Sequence, residues 1–329
     1  MDLLYKNEKP LFVIMLTFSL LVWAAFVVGT FGTIFIYVLF IYIFYLFAQS
    51  AVISYLKGTA VRITPEQFPD IHERLLSCCK KLEMDKIPEI YILHGDGVFN
   101  AFAMRFLKRD YVVLLSDMVD ALEDQPGALN FYIGHELGHI HRKHLIWGPV
   151  LFPAAVLPII GAAYSRAREY TCDNYGFACC DDHRDALTGL SVLSAGSKRW
   201  RTLKIENYTS QADAAGGFWM SFHELVSGYP WLVKRMSHIS SRVEKKNTQF
   251  PRRHPLAWFF AMFIPRTMGN AGGAAVLIVV AFIGILAAIA IPYFIGYKNR
   301  AMHSIPDHSP SGYETGIDSE SENNGYSLE

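Results

Sequence analysis

From Leu11 to Leu56 the chain carries no charged side chain, and Gly29–Thr33, "GTFGT", sit at the middle of this apolar run. A bilayer span needs about 20 apolar residues. Leu11–Val28 and Ile34–Leu56 are therefore expected to form a transmembrane hairpin that turns at those small residues. A cleaved signal peptide, with an apolar core of about 7–15 residues, is too short to account for the run. Beyond it the pattern becomes mixed. Ile71–Leu82 has helical periodicity and follows a linker at Thr64–Asp70. Ile90–Leu93 and Tyr111–Leu115 read as short strands joined by "HGDGVFNAFAMRFLKRD". A helix starting near Pro126 runs on through a cluster of histidines, a second covers Ala163–Cys179, and further helices reach Glu244. Pro251 and Pro255 mark a break. Ala274–Phe294 is a third uncharged span candidate, and the chain beyond Arg300 is polar and acidic, as disordered tails are. The expected division is 1–56 hairpin, 57–250 folded domain, 251–300 linker and anchor, and 301–329 tail.

Charge adds two points. The formal net charge of zero gives no electrostatic reason to expect a nucleic-acid partner. Lys6 and Lys9 precede the hairpin and Lys57 and Arg62 follow it, which favours a cytoplasmic location for both ends. The five cysteines, Cys78, Cys79, Cys172, Cys179 and Cys180, include two adjacent pairs and suit a reducing compartment as small buried residues.

Candidate chemistry concentrates in "GHELGHIHRKH", residues 134–144. His135 and His139 are one helical turn apart and share a face. Two neutral imidazoles at that spacing can bind one zinc ion, and Glu136 can take a proton from the attacking water. Glu169, thirty residues further on in "SRAREYTCDNYG", can supply a third ligand. Asp173, a turn beyond it, can accept the second N–H of a ligand histidine. His141 and His144 fall off this face and are expected at the surface.

These two stretches resemble the HtpX-like and CAAX-prenyl-protease-like gluzincins of metallopeptidase family forty-eight, over roughly Val61 to Val243. That family carries HExxH on one helix and ExxxD on the next, which maps onto His135, Glu136, His139, Glu169 and Asp173. The resemblance implies a mainly α, α+β metallopeptidase domain with a small β-sheet, plus transmembrane helices. It also implies one Zn2+ per chain, a protein or peptide substrate, and a role in membrane protein quality control. "NAFA", Asn100, Ala101, Phe102 and Ala103, is similar to the family's edge strand, along which an extended peptide pairs. Many members carry His-Pro followed by Arg. Here Pro230 and Arg235 are in register, and Tyr229 stands in place of the histidine, where its hydroxyl could serve an oxyanion.

Two further expectations follow. Leu145–Ala163 is apolar but holds Pro149, Pro153 and Pro158, and a single span there would put Glu169 across the membrane from His139. The segment therefore stays on one side, in the core or against the bilayer. "VLIVVAFIGILAAIAIPYF" resembles the N-terminal helix of type IV pilins. Asn270 and Ala275 occupy the places of the pilin cleavage glycine and docking glutamate, so the stretch is expected to remain an uncleaved anchor. Its ancestry suggests a bacterial inner membrane. The alternatives to a membrane zinc endopeptidase are a non-catalytic zinc-stabilised interaction module and a pilus-associated assembly protein. An intact Glu136 speaks against the first, and residues 57–250 have no role in the second.

Overall fold

The computed structural model describes residues 3–97, 100–264, 292 and 294–297. The chain divides into a unit of residues 1–276 and a second of 277–329. Nearly all of Ala274–Phe294, with Asn270, and the entire tail beyond Arg300 lie outside the described residues.

The charge-free run forms two long helices, α1 (Glu8–Gly29) and α2 (Ile34–Thr59). Both are long and apolar enough to cross a membrane. Between them Phe31 and Gly32 adopt positive φ, which a glycine accepts without strain. Next come β1 (Val61–Arg62), α3 (Pro69–Lys81), β2 (Glu89–Leu93), β3 (Ala101–Phe106) and β4 (Arg109–Leu115). The sheet order is β1-β2-β4-β3. The two expected strands, β2 and β4, pair in parallel, and their connection contains β3, which folds back antiparallel on β4. A two-residue turn, Leu107 and Lys108, joins β3 to β4 with both residues at positive φ, as a tight hairpin of this length requires.

The helices that follow are α4 (Ser116–Ala121), α5 (Leu129–His141), α6 (His144–Ala155), α7 (Ile160–Cys179), α8 (His183–Arg199), α9 (Ile205–Ser210), α10 (Phe218–Val226), α11 (Leu232–Val243) and α12 (Pro255–Ala261). Pro126 opens a short 3-10 turn just ahead of α5. One face of the sheet, with Ile90, Val112 and Leu114, packs with Leu75, Ile133 and Leu137 of α3 and α5. The other face, with Tyr91, Tyr111 and Val113, is covered by Ile53 and Leu56 at the end of α2. The result is a mostly helical fold with a small mixed sheet, as expected.

α6 keeps Pro149 and Pro153 inside the helix and lies along α1. Proline cannot donate a backbone bond and bends the helix around it. Val150 O and Ala154 N, an ordinary i, i+4 helical pair, are each bonded by α1: Trp23 Nε1 donates to Val150 O at 3.0 Å, and Ala154 N donates to Ser19 Oγ at 3.2 Å. Met15, Leu151, Ala154 and Tyr164 close the contact between α1, α6 and the start of α7.

Candidate metal centre

α5 and α7 approach closely because glycines precede each histidine of the motif. A Cβ on Gly134 would meet Cys179 Sγ at 2.7 Å and Gly176 Cα at 2.9 Å, and one on Gly138 would meet Cys172 Cα at 3.2 Å. Larger residues would hold the helices apart. At this separation His135 and His139 on α5 face Glu169 on α7. His135 Nε2 is 3.5 Å from Glu169 Oε2, and His139 Nε2 is 3.7 Å from Glu169 Oε1.

The other ring nitrogens are held from behind. His135 Nδ1 lies 3.0 Å from Asp173 Oδ1, and a carboxylate only accepts, so the imidazole donates. Arg235 grips the same carboxylate with two bonds, Nε to Oδ2 at 2.8 Å and Nη2 to Oδ1 at 2.5 Å. His139 Nδ1 lies 3.1 Å from His144 Nδ1. This corrects the expectation that His144 is a surface residue: it is 3 % exposed. The helical count fails because Lys143 takes a left-handed conformation, φ 58°, which ends one helix and turns His144 back beneath His139. His141 is exposed, as expected, and meets the Tyr175 hydroxyl at 2.9 Å.

The electrostatics follow from burial and pairing. Burial pushes Glu136 up to about 7, against the opposing pull of His135 and a bond from the Ala103 N–H. Burial disfavours the charged form of His135, but the Asp173 and Glu169 carboxylates outweigh it and raise the imidazole to about 9. Burial holds His139 well below its ordinary value. Glu169 is held well below the carboxylate range, its histidine partners outweighing burial. Asp173 is lowered to about 2, mainly by Arg235 working against burial.

Of the residues marked in the sequence, Ala101, Phe102 and Ala103 lie on β3, an edge strand, with Asn100 just ahead of it. Asn100 O accepts from Leu115 N at 3.2 Å, which fixes the hydrogen-bonding phase of the hairpin. With the register Ala101↔Leu114 and Ala103↔Val112, the backbone groups of Ala101 and Ala103 point away from β4, toward the open edge. Asn100 Oδ1 takes the Ala101 N–H at 2.9 Å, and Ala103 N–H reaches Glu136. Tyr229 sits against the Arg235 guanidinium, 5.0 Å from carbon to ring centroid, and is half-exposed. Arg235 itself is committed to Asp173.

The arrangement brings together side chains that could hold a metal ion. His135, His139 and Cys172 offer donor atoms that all lie within 4.8 Å of one another. Residues 65–151 match the profile described as Peptidase family M48. That match spans about a quarter of the chain and supports the M48 metallopeptidases, a family of zinc enzymes. It includes His135, Glu136 and His139 and stops before Glu169 and Asp173, so the α7 half of the site rests on geometry. Neither the curated proteins nor the solved structures gave a match to the chain.

Sequence reasoning missed His144, Glu8 and Cys172. Periodicity could not have found His144, because the helix breaks between it and His139. The other two depend on contacts that only the fold creates.

Proposed function

We propose that this chain is a membrane-held zinc endopeptidase in which His135, His139 and Glu169 hold the metal and Glu136 is the general base. The carrying observation is the spacing of the ligand atoms. Donors around a tetrahedral zinc at about 2.0–2.2 Å stand about 3.3–3.6 Å apart. The two imidazoles lie 3.5 and 3.7 Å from different oxygens of the Glu169 carboxylate, at and just beyond that spacing, so one ion between the three side chains needs only a small adjustment. Cys172 also offers a donor atom near the two histidines, but its Sγ is turned toward His144 and not toward Glu169. It lies 3.8 Å from His144 Nδ1, on the rear side of His139.

Zinc, when bound, supplies a Lewis acid that polarises the scissile carbonyl and acidifies water. The chain's own residues do the rest. Glu136, beside His135 and away from bulk water, accepts a proton from the attacking water and returns it to the leaving amine. Asp173 accepts from His135 Nδ1 and so leaves Nε2 free as a ligand. Arg235, expected among the catalytic residues, holds Asp173 with two bonds and so supports the orientation of His135. The free edge of β3 offers the Ala103 backbone groups beside Glu136, which supports an extended peptide bound by main-chain pairing with Ala101–Ala103. Tyr229, packed on the Arg235 guanidinium, is the candidate to contribute a hydroxyl to an oxyanion.

α1 and α2 expose most of their apolar residues, and α12 adds Leu256, Phe259 and Phe260. These surfaces support insertion in a bilayer, with the metal cluster near its boundary at the start of α1. The basic flanks favour the cytoplasmic side. Substrates emerging from a membrane, as in quality control, suit that placement.

The test is hydrolysis of an unfolded casein by the purified full-length protein in detergent. Cleavage should vanish with a chelator, return with zinc, and be lost in Glu136→Gln. Undiminished cleavage by Glu136→Gln would overturn the mechanism.

A further inference from the structure

One buried carboxylate close to the metal cluster has no part in the reaction described above. Glu8 is the first residue of α1 and is 2 % exposed. Its Oε1 lies 3.3 Å from His144 Nε2 and 3.3 Å from Arg142 Nε. His144 Nδ1 lies in turn 3.1 Å from His139 Nδ1. The three side chains form a line from α1 to the proposed metal ligand.

Proton accounting gives the line a direction. A carboxylate paired with Arg142 can only accept, so His144 donates from Nε2. A neutral His144 then presents the lone pair of Nδ1. The facing His139 Nδ1 must carry a hydrogen to bond it. His139 Nε2 is left with its lone pair toward Glu169, the form a metal requires. If Glu8 is removed, His144 can carry its proton on Nδ1 instead. That hydrogen would face His139 Nδ1 and favour the tautomer protonated on Nε2, where the metal should bind. The Cys172 thiol also lies 3.8 Å from His144 Nδ1, a longer and weaker contact than the 3.1 Å approach of His139.

We propose that Glu8 and His144 are positioning residues that fix His139 as an Nε2 metal ligand, so that correct seating of α1 sets the metal affinity of the site. This rests on the metal-site reading above. It adds that the first apolar helix is part of the metal site's support as well as an anchor. His135 takes its orientation from α7, within the domain. His139 takes its orientation from a residue 136 positions away from His144 in sequence.

The experiment is a zinc titration of the full-length protein in detergent against a chromophoric chelator, with visible spectra of the cobalt-substituted form. The variants are Glu8→Ala, Glu8→Gln, His144→Ala and the double Glu8→Ala/His144→Ala. Glu8→Ala and His144→Ala should each weaken zinc by roughly 10–100-fold and shift the cobalt bands. Glu8→Gln should recover most of the affinity, because an amide oxygen still accepts from His144 Nε2. The double variant should be no weaker than His144→Ala alone, as residues acting in series are non-additive. Wild-type affinity and spectra in either alanine variant would overturn the proposal. So would equal weakening in Glu8→Ala and Glu8→Gln accompanied by the same loss of thermal midpoint, which would indicate packing alone. If Glu8→Ala does not fold, His144→Ala and Glu8→Gln still decide the matter. Failure of the wild-type protein to bind zinc at all would instead remove the metal site itself, and this inference with it.

Discussion

His135 and His139 stand one turn apart on one helix, yet their second ring nitrogens are held by different elements of the fold. His135 leans on Asp173, which Arg235 holds, and all three lie on the helices α5, α7 and α11. His139 leans on His144 and, through it, on Glu8 at the head of α1. The first support lies wholly within the domain. The second reaches the apolar hairpin. On the proposed metal-site reading, α1 bears directly on one ligand, through Glu8, and only through packing on the other.

Removing the reacting carboxylate tests whether both supports serve one chemistry. Glu136→Gln leaves both histidines supported, so it should keep zinc while lowering hydrolysis by roughly 10²–10⁴-fold. Metal analysis alongside a casein assay checks this. Loss of zinc in that variant would mean that Glu136 helps to hold the site.

The His135 support comes next. Arg235→Ala strands the fully buried Asp173 carboxylate, and breaking a buried pair costs about 3–5 kcal/mol. The expected outcome is a large fall in thermal midpoint. Asp173→Ala should weaken zinc by roughly 10–100-fold, comparable to Glu8→Ala on the other side. Detergent-extracted protein with α1 deleted should separate the two supports further: zinc affinity should fall while the Asp173–Arg235 pair survives. Unchanged affinity would show that the His139 support is dispensable.

The close approach of α5 and α7 carries both halves. Gly134→Ala would place a Cβ against Cys179 and Gly176, and such overpacking costs about 1–3 kcal/mol. The measurement is a chemical denaturation midpoint. The smallest effect is expected from Tyr229→Phe. It should leave zinc affinity unchanged and lower kcat by about tenfold or more if the hydroxyl serves the oxyanion. An unchanged kcat would leave the ring as a cover for Arg235.

How much of this was legible in the sequence follows the same division. Helical spacing placed His135 with His139 and Glu169 with Asp173, because each pair lies on one unbroken helix; joining the two pairs took metal-ligand chemistry and the family resemblance. The apolar run gave α1 and α2 within a few residues. β3 was harder, because "AFAMRF" sits in a connection and holds only two aromatic residues, Phe102 and Phe106, and no β-branched one. It appeared through family likeness to "NAFA". His144 was misjudged because the helical count was carried across Lys143, where the backbone turns left-handed. Glu8 was invisible as a site residue, since no local pattern joins a charge at the start of an apolar helix to a histidine 136 residues away.

The central claim is that the metal is held by two histidines and the Glu169 carboxylate. X-ray absorption at the zinc edge of the loaded, full-length protein tests it most directly. The account predicts one zinc per chain with a nitrogen and oxygen shell at about 2.0–2.2 Å, including two imidazoles, and a loss of affinity in Glu169→Ala. A sulfur scatterer at about 2.3 Å would contradict it and make Cys172 the third ligand.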